Sequence, residues 1–183
     1  MIEIRDPTVA FDQKSIFQNQ SFSFPDTGVV LLKGESGIGK TTLLRVLAGL
    51  YKPQSGRITG LSGRKISFAF QEPRLLEQCS AFQNVLLVSD PATAQQLFDQ
   101  LHLSDVMHQK ARSLSGGQQQ RVSLARAFAF SNDVVLLDEP FTGLDPENKL
   151  RAAALIRTAR LAIVVSHDPS DDELLHADRK IVL

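Results

Sequence analysis

The sequence predicts an α/β protein with a mainly parallel central sheet, and three observations carry that prediction. Short uninterrupted apolar runs occur at residues 29–32, 134–137 and 161–165, as expected of parallel strands buried on both faces. Segments with helical spacing of apolar residues alternate with them, for example Val122, Ala125 and Phe128, which implies strand–helix–strand units. Directly after the first run stands Gly34-Glu35-Ser36-Gly37-Ile38-Gly39-Lys40-Thr41-Thr42, and a helix-like stretch follows at 43–50.

That third feature has the context of a phosphate-binding loop. Glycines let consecutive backbone N–H groups turn inward toward phosphate oxygens, and the next helix adds the positive end of its dipole. Lys40 supplies a mobile charge for β- and γ-phosphates, and the Thr41 hydroxyl is a Mg²⁺ ligand. A glycine-rich turn that merely contains lysine would not need the flanking strand and helix. The chain is expected to bind a nucleoside triphosphate on a P-loop NTPase fold.

The remaining elements follow in order. Short β-strands, Val9 to Phe11 and the alternating Ser21-Phe22-Ser23-Phe24, form an N-terminal antiparallel β subdomain, closed by the turn Pro25-Asp26-Thr27-Gly28. Lys52-Pro53-Gln54-Ser55-Gly56 reads as a turn, and residues 64–70 as a strand that ends at Gln71. Residues 81–107 read as helical, and a further helix begins near Ser115. Asp145-Pro146-Glu147 opens another helix with a capping side chain, a first-turn proline and an acidic first turn. Residues 181–183 form a last strand. The expected organisation is one domain over 1–183, with a β-rich and P-loop core at 1–71 and 129–183 and an inserted helical lobe at 72–128.

Composition narrows the class. A chain of 183 residues, 43% hydrophobic, can bury one good core. With 20 basic and 20 acidic residues and no basic block, electrostatic capture of nucleic acid or of an anionic membrane surface is not indicated. Cys79 is the single cysteine, which fits a reducing compartment and excludes a disulfide framework. The N-terminal residues are too polar for a signal peptide, and no apolar run approaches a membrane span. Work at a membrane would require a membrane partner.

Asp138-Glu139 follows the 134–137 run, at the strand end where α/β sheets place their chemistry. An aspartate there can hold Mg²⁺, and the adjacent glutamate can polarise an attacking water. Leu114-Ser115-Gly116-Gly117-Gln118 combines a hydroxyl and glycine N–H groups at a helix N-terminus, an anion site in physical terms and also an ordinary capped helix. With this segment the sequence resembles the ATP-binding cassette (ABC) family, whose signature is Leu-Ser-Gly-Gly-Gln. Six motifs stand in the family's order: the phosphate loop, Gln71, the signature, Asp138-Glu139, Gly143-Leu144-Asp145 and His167.

The resemblance implies roles. Phe11 falls where the family stacks an aromatic ring on adenine, although a core phenylalanine would look the same. Gln71 matches the glutamine that reaches Mg²⁺ and the attacking water, Asp145 the residue that communicates across the dimer, and His167 the histidine at the γ-phosphate. Two cassettes would pair head to tail, each ATP lying between one P-loop and the opposite Ser115, Gly116, Gly117 and Gln118, with Glu139 as general base. ATP and Mg²⁺ are the implied cofactors. A second ATPase subunit, forming a homodimer with ATP, and transmembrane permease subunits are the implied partners, at the cytoplasmic face of the cell membrane. No nucleic acid is expected.

Residues 67–76 look like the matching region of importer ATPases of the nitrate, sulfonate and taurine type. A groove from Gln71 to Leu76, with Phe82 nearby, is expected to receive a helix of the membrane subunit, unless Leu75 and Leu76 simply pack the lobe. The chain is shorter than a usual cassette, both from Lys40 to Gln71 and from Gln71 to Ser115. A non-import complex for lipoprotein release or cell division is the alternative, as is a soluble ABC ATPase. No heptad array, second cassette or cysteine-rich insert of the soluble classes is present.

Overall fold

A computed structural model of the chain describes residues 1–11, 14–17 and 20–183, with the side chains of residues 10, 11, 14 and 15 left aside. Its centre is a parallel sheet built from β4 (Gly28–Lys33), β6 (Ile66–Ala69), β7 (Val134–Asp138), β8 (Leu161–Val165) and β9 (Arg179–Val182). The strand order is β6-β7-β8-β4-β9, and every pair in it is parallel. Leu136 of β7 is paired with Phe68 of β6 and with Ile163 of β8, and Ile163 in turn with Val30 of β4. The strand ends therefore stand level.

Why the strands are apolar throughout follows from their two covers. Val29, Leu31, Val135, Leu137, Ala162 and Val164 face one hydrophobic cluster, and Val30, Leu32, Leu136, Ile163 and Val165 face another. The second cluster is closed by α1 (Lys40–Leu47) and by an antiparallel sheet of β1 (Ile2–Phe11), β2 (Lys14–Phe17), β3 (Phe22–Phe24) and β5 (Ser55–Thr59). β1 is the hub of that sheet, pairing with β2, β3 and β5. Sequence reading shortened β1 and missed β2 and β5. In β5 only Ile58 of the five residues escapes full exposure, so no alternating pattern marks it.

The first cluster lies under α2 (Ala81–Leu86), α3 (Pro91–Gln100), α4 (Gly116–Phe130) and α5 (Pro146–Ile156). The stretch expected to be helical from 81 to 107 is broken. Pro91 sits in the first turn of α3, where its missing N–H costs nothing, and the Asp90 side chain accepts from the N–H groups of Ala92 and Thr93. Beyond α3 the chain continues as short 3-10 turns at Ser104–Val106 and Ala111–Ser113. α4 runs through residue 128, so lobe and sheet share one cluster. A short helix, α6 (Asp171–Leu175), precedes β9.

Leu136 is fully buried in the middle of β7, an interior strand of the sheet. Leu136→Ala is expected to lower unfolding free energy by about 2–5 kcal/mol, read from urea unfolding. A loss under about 1 kcal/mol would mean that the neighbours of Leu136 collapse around the void.

Candidate functional site

Parallel strands with level ends deliver their loops to one edge, and the motifs lie on those loops. Gln71 follows β6, Asp138 ends β7 with Glu139 next, His167 follows β8, and the phosphate loop follows β4. Since these strands are neighbours in the order β6-β7-β8-β4, residues as far apart in sequence as Ser36 and His167 meet in one cleft of about 250 Å³. Ser36, Gly37, Gly39, Lys40, Thr41 and Thr42 line it from the loop after β4 and the start of α1. Gln71, Asp138, Glu139 and His167 line it from the ends of β6, β7 and β8.

The loop is shaped by its glycines. Gly39 caps α1 with φ of 115°, and a Cβ there would come within 2.5 Å of Ile16 Cγ2 and 2.7 Å of Phe17 Cζ. Only glycine fits, on both backbone and space grounds. Lys40 is buried, and its Nζ donates to the carbonyls of Gly34 and Glu35 at 2.8 Å each. The cation is thus folded back on its own loop. Ile16 also lines the cleft. Sequence reading passed over it, because a single isoleucine outside any periodic pattern carries no signal. Phe11 lies in β1, and its side chain is outside the described residues.

Charge is also concentrated at the end of β7. Asp138 is 3% exposed. Burial pushes its carboxyl above the ordinary range, opposed by a hydrogen bond from Thr41 and by the charges of Arg45, Lys40 and His167. Glu139 is likewise raised by burial, with His167 opposing the shift. Glu139 adopts φ of 51°, and its Oε1 lies 3.3 Å from His167 Nε2. That oxygen is buried and makes no hydrogen bond among the described residues. A buried acceptor without a donor is costly, and it suits a group that gains a water or other donor when substrate arrives.

The donor set fits Mg²⁺. Among the described residues no cluster of three or more His, Cys, Asp or Glu forms a metal cage. Thr41 and Asp138 are joined by a hydrogen bond beside the phosphate loop. One or two oxygen ligands beside phosphates is how Mg²⁺ is ordinarily held.

The signature residues are not brought to this cleft. Ser115, Gly116, Gly117 and Asp145 line a separate one of about 420 Å³, with Arg121 and Asn148. Ser115 and Gln118 form a reciprocal cap: Ser115 Oγ accepts from the Gln118 N–H at 3.3 Å, and Gln118 Oε1 accepts from the Ser115 N–H at 2.9 Å. Asp145 caps α5 by accepting from the Asn148 backbone N–H and side chain, which holds its carboxyl below the usual range. A Cβ on Gly117 would stand 2.7 Å from the Gly143 carbonyl, so the two segments touch. In the Gln71–Leu76 region, Arg74 and Leu76 are exposed, whereas Leu75 and Phe82 pack on the core.

Because Asp138 ionises at higher pH in the folded chain than in the unfolded one, its charge opposes folding at neutral pH. That cost disappears below about pH 4, where both states are protonated. Asp138→Asn is therefore expected to melt at or above the wild-type temperature at pH 7, with the difference closing as pH falls toward about 4. Melting curves across that range check this. A lower melting temperature at pH 7 that closes as the pH falls would show instead that the ionised carboxylate is a net stabiliser.

Comparison with known proteins agrees with this geometry. The family model described as ABC transporter matches residues 17–142. An aliphatic sulfonates import ATP-binding protein of Streptomyces avermitilis is 37% identical, the match covering 96% of this chain and 70% of that protein. One from Granulibacter bethesdensis is 40% identical over 94% of this chain and 75% of its own length. A solved ATP-binding cassette dimer in a post-hydrolysis state, bound to ADP and Pi, shares the fold with a TM-score of 0.87 at 24% identity, covering 100% of this chain and 94% of that one. A dimeric bacterial ABC transporter cassette gives 0.83 at 25% identity, over 100% and 94% of the two chains. With a P-loop cleft, a separate signature cleft and relatives of this closeness, the chain belongs to the ABC transporter family, as an ATP-binding, ATP-hydrolysing subunit.

Proposed function

We propose that this ATPase powers solute import through separate transmembrane permease subunits, working as a dimer that closes on ATP. The observation that carries the reading is the separation of the two clefts. Phosphate loop, Asp138, Glu139, Gln71 and His167 share one, while Ser115, Gly116, Gly117 and Asp145 share the other. A chain with the two halves of a nucleotide site apart is completed by a second copy placed head to tail. The dimeric cassette among the similar structures supports this, and the sulfonate-import names of the relatives favour import over lipoprotein release, cell division or a soluble role.

In this reading the backbone of residues 34–42 cradles the triphosphate, and Lys40 exchanges its two carbonyl partners for β- and γ-phosphate oxygens. Thr41 and Asp138 would hold Mg²⁺, with Gln71 reaching it. Bound there, the ion offsets charge on the β- and γ-phosphates. Glu139 orients and deprotonates the attacking water. Its burial raises its basicity toward working pH, and His167 steadies the γ-phosphate beside it. Ser115, Gly116, Gly117 and Gln118 of the opposite copy supply donors at a helix N-terminus. Asp145 links the copies, and Phe11 stacks on adenine. Hydrolysis removes the γ-phosphate contacts and lets the dimer open.

The permease would dock near Gln71. A cleft of about 500 Å³ lies there, lined by Pro73, Arg74, Leu75 and Arg112 among others, and Leu76 is 50% exposed beside it. Among the described residues no helix is long and apolar enough to cross a membrane. In this reading the permease subunits span the membrane, and the ATPase works on them at the cytoplasmic face of the cell membrane. The chain is read as one ABC domain whose helical lobe, 72–128, carries the docking face.

Two substitutions test the nucleotide chemistry. Lys40→Ala should weaken binding of a labelled ATP analogue by roughly 100-fold, as expected for loss of charge-assisted bonds worth about 3 kcal/mol. Near-normal affinity in a folded variant would remove the phosphate loop from the site. Glu139→Gln should retain ATP binding while kcat falls by about 10²–10⁴, and the variant should elute as a dimer in gel filtration with ATP and Mg²⁺. A monomer hydrolysing at the wild-type rate would show that Glu139 is not the base.

A further inference from the structure

Helix α4 begins at the signature, and one of its side chains reaches the opposite functional segment. Arg126 donates from Nη2 to the Pro73 carbonyl at 2.9 Å and from Nη1 to the Arg74 carbonyl at 3.1 Å. The guanidinium is half-buried and forms no ion pair among the described residues. Desolvation pulls its pKa down. A desolvated cation with no carboxylate, committed to two successive carbonyls, is an expensive way to hold a loop unless the loop's position matters.

What it holds is strained. Arg74 has φ of 47°, the left-handed region that a non-glycine side chain disfavours. Its own guanidinium turns back over the Phe70 ring at 4.1 Å, and Phe70 is stacked on Phe68 of β6 at 4.1 Å. Residues 70–74 thus make a bend, pinned on the sheet side by the Phe68–Phe70–Arg74 stack and on the helix side by Arg126. Gln71 is the residue inside that bend that lines the nucleotide cleft. α4 is 15 residues long, a single rod between the Ser115 cap and the Arg126 clamp.

We propose that Arg126 is a positioning residue for Gln71, fixing the bend that carries it and tying that bend to the helix that bears Ser115. The inference rests on the role of Gln71 proposed above. A shift of α4 at its signature end then reaches the chain's own cleft through two hydrogen bonds to the backbone. Sequence reading had no access to this, since an arginine on an amphipathic helix ordinarily reads as its solvated face.

A double-mutant cycle on the full chain tests it, with ATPase kcat, KM for ATP and melting temperature measured for each variant. Arg126→Met keeps the aliphatic stem and removes the fork. It should lower kcat by about 10–100-fold, the usual effect of removing an outer support of a metal-site group, with KM changed less than about twofold. Arg126→Lys, which keeps the charge without the planar fork, should restore part of the loss. In a Gln71→Ala background Arg126→Met should cost nothing further. Multiplying losses in the double variant would overturn the proposal, as would an unchanged kcat with only a lower melting temperature. Normal kcat in Gln71→Ala alone would instead refute the Gln71 role, and the positioning claim with it, by a different measurement. If Arg126→Met does not fold, Arg126→Lys carries the same cycle, with its kcat loss absent in the Gln71→Ala background as the expected result.

Discussion

The register of the parallel sheet is the constraint on which everything else depends. Phe68, Leu136, Ile163 and Val30 lie in one row across four strands, so the loops after those strands leave at one height. A one-residue slip of β7 would exchange Leu136 with a neighbour facing the other cluster and turn every side chain of the strand over. Asp138 would then leave its place beside Thr41. Both faces are covered by apolar clusters, so a slip would draw Asp133 or Asp138, the charged residues at the two ends of the apolar run, in between them, and the cost of burying that charge holds the register.

The polar edge is costly in itself. Asp138 and Glu139 both have carboxyls raised by burial, and Glu139 adds a left-handed backbone and an orphaned Oε1. These are local departures from what stability alone would select, and they are concentrated where charge is to be handled. Support comes from outside the cleft: the Gln120 side-chain amide on α4 donates to the Glu139 carbonyl at 3.3 Å, and Lys149 on α5 bridges Asp168 beside His167 at 3.0 Å.

Much of the site was legible because its chemistry requires glycine, lysine and paired acids at fixed points on a strand–loop–helix frame. The strands at 134–137 and 161–165 declared themselves through unbroken apolar runs, and α5 through Asp145-Pro146. Less visible were elements whose cause is tertiary. β2 and β5 have little periodicity and exist because β1 offers them a partner. The break between α2 and α3 was written in Asp90-Pro91 and passed over in favour of helical spacing. Arg121 is the plainest case: its Nη1 donates to the carbonyls of Leu101 and His102, burying a cation that no pattern of hydropathy would place inside. Leu76 and Leu75, adjacent and alike in the sequence, part company in the fold, one exposed and one packed.

Lys40 has a consequence for selectivity. Its ammonium already holds the carbonyls of Gly34 and Glu35, so an incoming anion competes with an internal surrogate rather than with water. A chloride or a lone phosphate must displace two short charge-assisted bonds in return for few new ones. In the proposed role, a polyphosphate would reach the lysine and the backbone N–H groups of the loop together, and would replace the surrogate with several bonds at once. On that proposal the loop would be screened against simple anions by a competitor that it carries within its own backbone.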